Sequence, residues 1–207
     1  MLFKIIRYVL LFVLIALSVI AIIKSNIKQK RRTAVFAAAA CLLVVCLLSI
    51  FPPENLFVRF HEPETVFHYI NGNEIQSILP GNDSCMIIYK ENEQNGGYDV
   101  IPKSQRGYLI PTLFSKERIL RRLDENGYLE VYHVKGRSDY YLFATVYTDG
   151  ENSEISILDD SGTRETELTS FTEQITGFLD VYLYFDKAPV GYTLMVGEKQ
   201  IPISKQT

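Results

Sequence analysis

Two long apolar runs, followed by many short alternating segments, set the pattern of this chain. Sixteen residues from Tyr8 to Ile23 carry no charge, and eighteen more are uncharged from Ala34 to Phe51. The first run rises roughly 24 Å as a helix, so Ile5 and Ile6 must extend it and Lys4 and Arg7 must reach toward headgroups. On that reading the spacing predicts transmembrane helices over about residues 5–23 and 34–51, the second stopping at Pro52-Pro53. A cleaved leader also begins basic and then turns apolar, but here the run enters a basic loop with no small-residue cleavage site. Neither run holds an ionisable residue in its middle, which argues against a proton or ion pathway. Ala37–Ala40, Ala16, Ser18 and Ala21 suit close packing of the two helices.

The loop between the runs, KSNIKQKRRT, is residues 24–33 and carries five cations with no anion. Short loops this basic face the cytoplasm, so the expectation is a double-pass cell-membrane protein with both termini and residues 52–207 extracytoplasmic.

Beyond a linker at residues 52–59 the period changes. Glu62, Pro63 and Glu64 suit a helix start, Val66, Phe67 and Ile70 give one apolar face, and Asn71-Gly72 ends it. Strand-like segments follow at Ile75–Leu79 and Ser84–Lys90 around the turn PGND, then at Tyr98–Pro102, Tyr128–Lys135 and Tyr140–Tyr147. Further strands are expected at Ile155–Leu158 and Phe178–Asp186, with a terminal hairpin in YTLMV-GEKQ-IPI. The segment SKERILRRLDENGYLEVY reads two ways. Ser115 suits an N-cap and Phe114 a staple onto Ile119, or Ile119–Leu123 pairs with Tyr128–Tyr132 around Glu-Asn-Gly, the reading preferred. The fold class expected is α+β: a transmembrane hairpin, then residues 60–207 as a β-dominated antiparallel domain with one short leading helix.

Charge sharpens this division. Before Pro52 there are seven basic residues and no acidic one; from Pro52 onward fourteen basic face twenty-four acidic, a net charge of −10. Nucleic acid is disfavoured as a partner, because its binding rests on neutralising phosphates. Arg118, Arg121 and Arg122 are the basic cluster visible in the sequence, and read as one solvated face. Cys41 and Cys46 lie in an apolar run and Cys85 stands alone in the later part, so no disulfide can form within that domain.

Candidate chemistries are thin. His61 and His68 are seven apart, wider than zinc pairs such as H-E-x-x-H, and read as ordinary surface histidines. Cys85 sits in the apolar strand CMIIY, where an inert buried thiol is the simpler reading than a Cys85–His133 couple. Asp159-Asp160 falls in the turn LDDSGT, and neither TDGENSE nor GNDS has calcium-loop spacing. ENEQNGGY lacks the Lys and helix of a phosphate loop. Tyr-rich strands without Trp suit sheet packing better than sugar stacking. No catalytic, cofactor-binding or metal residue is assigned, and no cofactor is expected.

The segments FHEPETVFHYIN, SCMIIYKE, YDVIPK and VYHVKGRSDYYLF, with Asp139, Tyr140 and Tyr141, together resemble uncharacterised membrane-anchored extracytoplasmic β-rich proteins of Gram-positive bacteria. The resemblance covers roughly Phe60 to Thr148 and implies location and fold, with no activity to carry over. The functional expectation is therefore a non-catalytic interaction or sensing domain at the bacterial envelope. Its partners would be the lipid bilayer and an envelope or protein component. The alternatives are an envelope hydrolase with a dispersed site and an accessory subunit of a transporter.

Overall fold

The computed structural model describes residues 2–24, 29–50, 52–92, 96–148, 154–165, 169–175 and 177–204. Within these, the side chains at 2–8, 10, 48–50, 124 and 165 are not described. The chain divides into two compact units, Met1–Val58 and Arg59–Thr207.

In the first unit, α1 (Leu2–Lys24) and α2 (Lys30–Ile50) pack against each other, with Ser18 Oγ 3.6 Å from Cys41 Sγ. A single helical turn, α3 (Glu54–Phe57), follows. Among the described residues no helix is long and apolar enough to cross a membrane. This overturns the expected transmembrane hairpin. The cell-membrane location, and the sidedness drawn from loop 24–33, fall with it. The physical reason lies in length and charge. Arg7 and Lys24 bound only sixteen uncharged residues of α1, about 24 Å, and α2 opens on Lys30, Arg31 and Arg32. Eighteen uncharged residues remain in α2, about 27 Å against a hydrocarbon core of about 30 Å. Snorkelling of Lys4 and Arg7 was expected to close the gap at α1, and eighteen residues were expected to suffice at α2; both fall short.

The second unit is a stack of three antiparallel sheets capped by a helix. The first sheet runs β1 (Glu74–Pro80), β2 (Ser84–Lys90), β3 (Gly96–Ser104) and β4 (Gly107–Tyr108) in order. The central sheet holds β5 (Lys116–Asp124), β6 (Gly127–Val134), β7 (Tyr140–Tyr147), β10 (Ser170–Ile175) and β11 (Phe178–Phe185), in the order β10-β11-β7-β6-β5. The third has the order β13-β12-β8-β9, from β8 (Ile155–Leu158), β9 (Arg164–Glu165), β12 (Thr193–Val196) and β13 (Lys199–Pro202).

Alternation along the central strands sends two sets of side chains in opposite directions. Leu129, Val131, Leu142, Ala144, Val146, Val181 and Leu183 meet Ile157, Leu194, Val196 and Ile201 of the third sheet. The other face offers Val134, Tyr141 and Tyr182 to Leu79, Met86, Ile88 and Val100 of the first sheet. Every residue of β2 from Ser84 to Tyr89 is buried, because α4 (Pro63–Ile70) covers the far side of the first sheet. Val66 and Phe67 provide that cover, the Phe67 ring lying 5.0 Å from that of Tyr89 in a tilted contact.

Pro63 sits at the first helical position of α4 and Asn71 closes the helix through its N–H to the Phe67 carbonyl. The ambiguous segment is a strand: β5 pairs with β6 from Lys116↔Val134 to Asp124↔Gly127, with a bulge at Ile119. The bulge turns this edge strand and breaks its flat ladder. Two further differences concern α3, which adds a second short helix, and β4, β9 and β10, which the sequence pattern did not predict.

Candidate functional site

Two clusters of polar side chains lie between the first and central sheets. Both are internal fastenings. Glu130 on β6 is buried (4 % exposed), yet it accepts hydrogen bonds from Tyr98 (3.1 Å), Tyr132 (2.6 Å) and Arg118 (2.6 Å). Burial works against its charge, but the hydrogen bonds from Tyr128, Tyr132, Arg118 and Tyr98 outweigh burial and hold the carboxyl below its ordinary value. The same burial pushes Tyr128 up to about 12. Lys116 closes the end of this layer, its Nζ lying 5.2 Å from the Tyr98 ring and 5.0 Å from that of Tyr132.

Asp139 anchors the other cluster and is fully buried. Its Oδ2 accepts from the Asp83 N–H (2.8 Å) and Ser84 Oγ (2.5 Å), and its Oδ1 from Tyr184 (3.1 Å). Ser84 Oγ also lies 3.0 Å from the Tyr141 hydroxyl. The β1–β2 turn is thereby tied to the central sheet. All four carboxylate oxygens of Glu130 and Asp139 accept from the protein's own donors.

The residues weighed for chemistry are dispersed. Cys85 is 1 % exposed, and burial, helped by Glu64, pushes its thiol up to about 12, which makes it a poor nucleophile. His133 has other company: Nδ1 lies 3.1 Å from Glu117, Nε2 is 2.9 Å from the Arg137 carbonyl, and the ring stacks on Tyr140 at 4.6 Å. His68 is exposed on α4 with an edge contact to Phe67. Asp159 serves its own turn, accepting from the N–H groups of Ser161 and Thr163, and those bonds, the Ser161 hydroxyl first, hold it below the usual carboxylate range. The TDGENSE segment lies mostly outside the described residues. Among the described residues no group of three or more His, Cys, Asp or Glu is placed to hold a metal ion.

The three arginines of β5 part company. Arg118 pairs with Glu130, Arg121 lies 5.5 Å over the Tyr128 ring, and Arg122 donates to the Pro202 carbonyl at 2.9 Å. A different set of cations converges instead. A recess of about 390 Å³ is lined by Arg59, His61, Lys103, Ser104, Gln105, Arg106, Gly107 and Tyr108.

Local structure explains the convergence. Phe60 bridges Tyr108, whose N–H donates to the Phe60 carbonyl at 2.8 Å. Because Phe60 is buried, the extended chain turns its neighbours Arg59 and His61 outward. Opposite them, β3 and β4 are joined by a tight turn in which Ser104 pairs with Gly107. Ser104 Oγ accepts from the Arg106 N–H (3.2 Å) and donates to the Gly107 carbonyl (3.0 Å). Gly107 has φ 119°, and a Cβ there would run into the Phe60 carbonyl, so only glycine lets the two segments meet.

No carboxylate lines the recess. Among the described residues Arg59, Lys103 and Arg106 make no ion pair within 4.0 Å, whereas Arg118, Lys135, Arg137 and Arg164 are held by Glu130, Glu117, Asp83 and Glu154. Lys103 lies 5.6 Å from the Tyr108 ring centre. Burial first, then Cys85 and Glu64, raises the Tyr108 hydroxyl above its ordinary value, so the ring presents a neutral wall. Sequence reasoning found only His61 of this set. The available signal was the basic, turn-forming KSQRG, but nothing in the linear order joins it to Arg59 more than forty positions earlier.

No family model, curated protein or solved structure matches the chain.

Proposed function

We propose that the Arg59–Thr207 unit is a non-catalytic interaction or sensing module whose recognition surface is the basic recess. The observation that carries this reading is the convergence of Arg59, Lys103 and Arg106 on one concavity with no carboxylate in its lining. In a chain with more acidic than basic residues, unpaired cations in one place raise the local potential where an anion is to be received. The recess falls within the size range of small-ligand sites, roughly 300–1,000 Å³. It offers charge, hydroxyl and amide groups and one aromatic wall, which suits binding. Bond breaking would call for a nucleophile beside a base, whereas the Cys85 thiol is buried and raised and His133 lies against Glu117.

Thermal unfolding in the presence of small anions tests the reading, since a ligand that binds only the folded state stabilises it in proportion to its concentration over Kd. Phosphate, sulfate, citrate and glycerol 3-phosphate form a suitable panel. At least one should raise the Tm of the wild-type chain and leave a Arg59→Ala, Lys103→Ala, Arg106→Ala triple variant unmoved. Equal shifts in both proteins, or none in either, would remove the recess as the recognition surface.

A further inference from the structure

We infer that the group received by the recess is a phosphomonoester dianion carried on a small organic body; this rests on the anion-binding reading above. Three cations, Arg59, Lys103 and Arg106, line one recess, and among the described residues no carboxylate lines it with them. A single carboxylate or phosphodiester returns one negative charge. A phosphomonoester carries about −1.5 to −2 at pH 7 and concentrates it on three acceptor oxygens. Two guanidinium forks and one ammonium answer that distribution, the forks giving paired N–H bonds and the lysine a point charge.

Volume supplies a second argument. The roughly 390 Å³ recess is far larger than one phosphate group, about the size of a few waters at roughly 30 Å³ each. The remaining walls are His61, Ser104, Gln105, Gly107 and Tyr108, mostly polar, which suit a short hydroxylated body better than a hydrocarbon one. A nucleic acid fits less well, because it spreads one charge over each phosphate and meets a domain of net acidic charge. The phosphomonoester has two possible sources, a soluble metabolite and a lipid headgroup, and they share this chemistry.

Calorimetric titration of the full chain separates the possibilities. The probes are glycerol 3-phosphate, inorganic phosphate, dimethyl phosphate, glycerate, and vesicles of phosphatidylcholine with or without phosphatidic acid. Glycerol 3-phosphate is expected to bind saturably and about tenfold or more tighter than dimethyl phosphate or glycerate. Arg106→Ala and Lys103→Ala should each weaken it about tenfold, while Arg164→Ala, whose cation is paired with Glu154, leaves it unchanged. Both recess side chains are exposed, so the variants fold, and an unchanged Tm without ligand verifies it. Binding confined to the phosphatidic acid vesicles, with the same loss in the two variants, supports the inference and assigns the lipid source. Glycerate or dimethyl phosphate binding as tightly as glycerol 3-phosphate would overturn the phosphomonoester class and leave the anion reading standing. Silence from every probe would overturn the phosphomonoester class, and the anion reading falls with it if sulfate and citrate also leave the Tm unmoved.

Discussion

At the scale of single residues, the interior of the second unit is governed by where carboxylates are placed. Glu130 and Asp180 make the contrast. Glu130 gathers donors from three strands and stays ionised below its ordinary value. Asp180 faces Glu173 directly across the β10–β11 pair and, among the described residues, accepts from Thr145 Oγ1 alone, at 2.7 Å. Burial first, with Glu173 adding to it, raises its carboxyl above the ordinary value despite that bond. A carboxyl raised in the folded state costs stability once pH climbs above its unfolded value, about 3.9, and the cost is complete above its folded value. Asp180→Asn keeps an acceptor for Thr145 and removes the like charge. The variant should therefore be about 0.5 kcal/mol more stable than wild type at pH 7, by urea unfolding, and the two should converge near pH 3. A gain that persists at pH 3 would place its origin outside the carboxyl's ionisation. Neither role was legible in the sequence. GYLEVYHV alternates, and alternation ordinarily sends a Glu to water. The central sheet is covered on both faces, so Glu130 is buried although Tyr128 and Tyr132 on the same register of β6 are half-buried.

Among elements, the strands with strong apolar or aromatic content were readable, because each must find a partner for a period-two face. β2, β7 and β11 follow this rule, and the β5–β6 hairpin follows from Glu-Asn-Gly turn chemistry. The strand β10, SFTEQI, was not readable: it alternates exposed and half-buried positions and has too few apolar residues to announce a face. The two-residue strands β4 and β9 carry no period at all. β4 nonetheless builds one wall of the recess, which is why the site escaped sequence reasoning. The β1–β2 turn gives the element-scale prediction. A Cβ at Gly81 would meet the Tyr141 hydroxyl at 2.5 Å, Asp139 Oδ2 at 2.8 Å and Tyr184 at 2.8 Å. Those groups are locked in the Asp139 cluster and have nowhere to go. Gly81→Ala should cost about 1–3 kcal/mol by denaturant unfolding, whereas Gly72→Ala, with nothing within 4 Å, should leave stability nearly unchanged. Equal effects at the two positions would mean that the turn is not seated on the central sheet.

Across the whole molecule, the chain divides into two compact units, Met1–Val58 and Arg59–Thr207, and the charge balance changes sign near residue 52. What the apolar N-terminal runs do not carry is the step from hydrophobic to membrane-spanning, since each uncharged run is shorter than the hydrocarbon core it was expected to cross. The β-dominated antiparallel plan needed only local periodicity, whereas the stacking of three sheets needed contacts between segments far apart in sequence. The recess is of that second kind, since it joins the chain at Arg59–His61 to the β3–β4 turn. The most direct test of the account is a nitrogen-15 NMR titration of the chain with glycerol 3-phosphate. The account predicts saturable shifts in the backbone amides of Arg59 to His61 and Lys103 to Tyr108, and in the side-chain Nε of Arg59 and Arg106, with β5 unmoved. Saturable shifts centred on Arg118, Arg121 and Arg122, or no saturable shift anywhere, would contradict it.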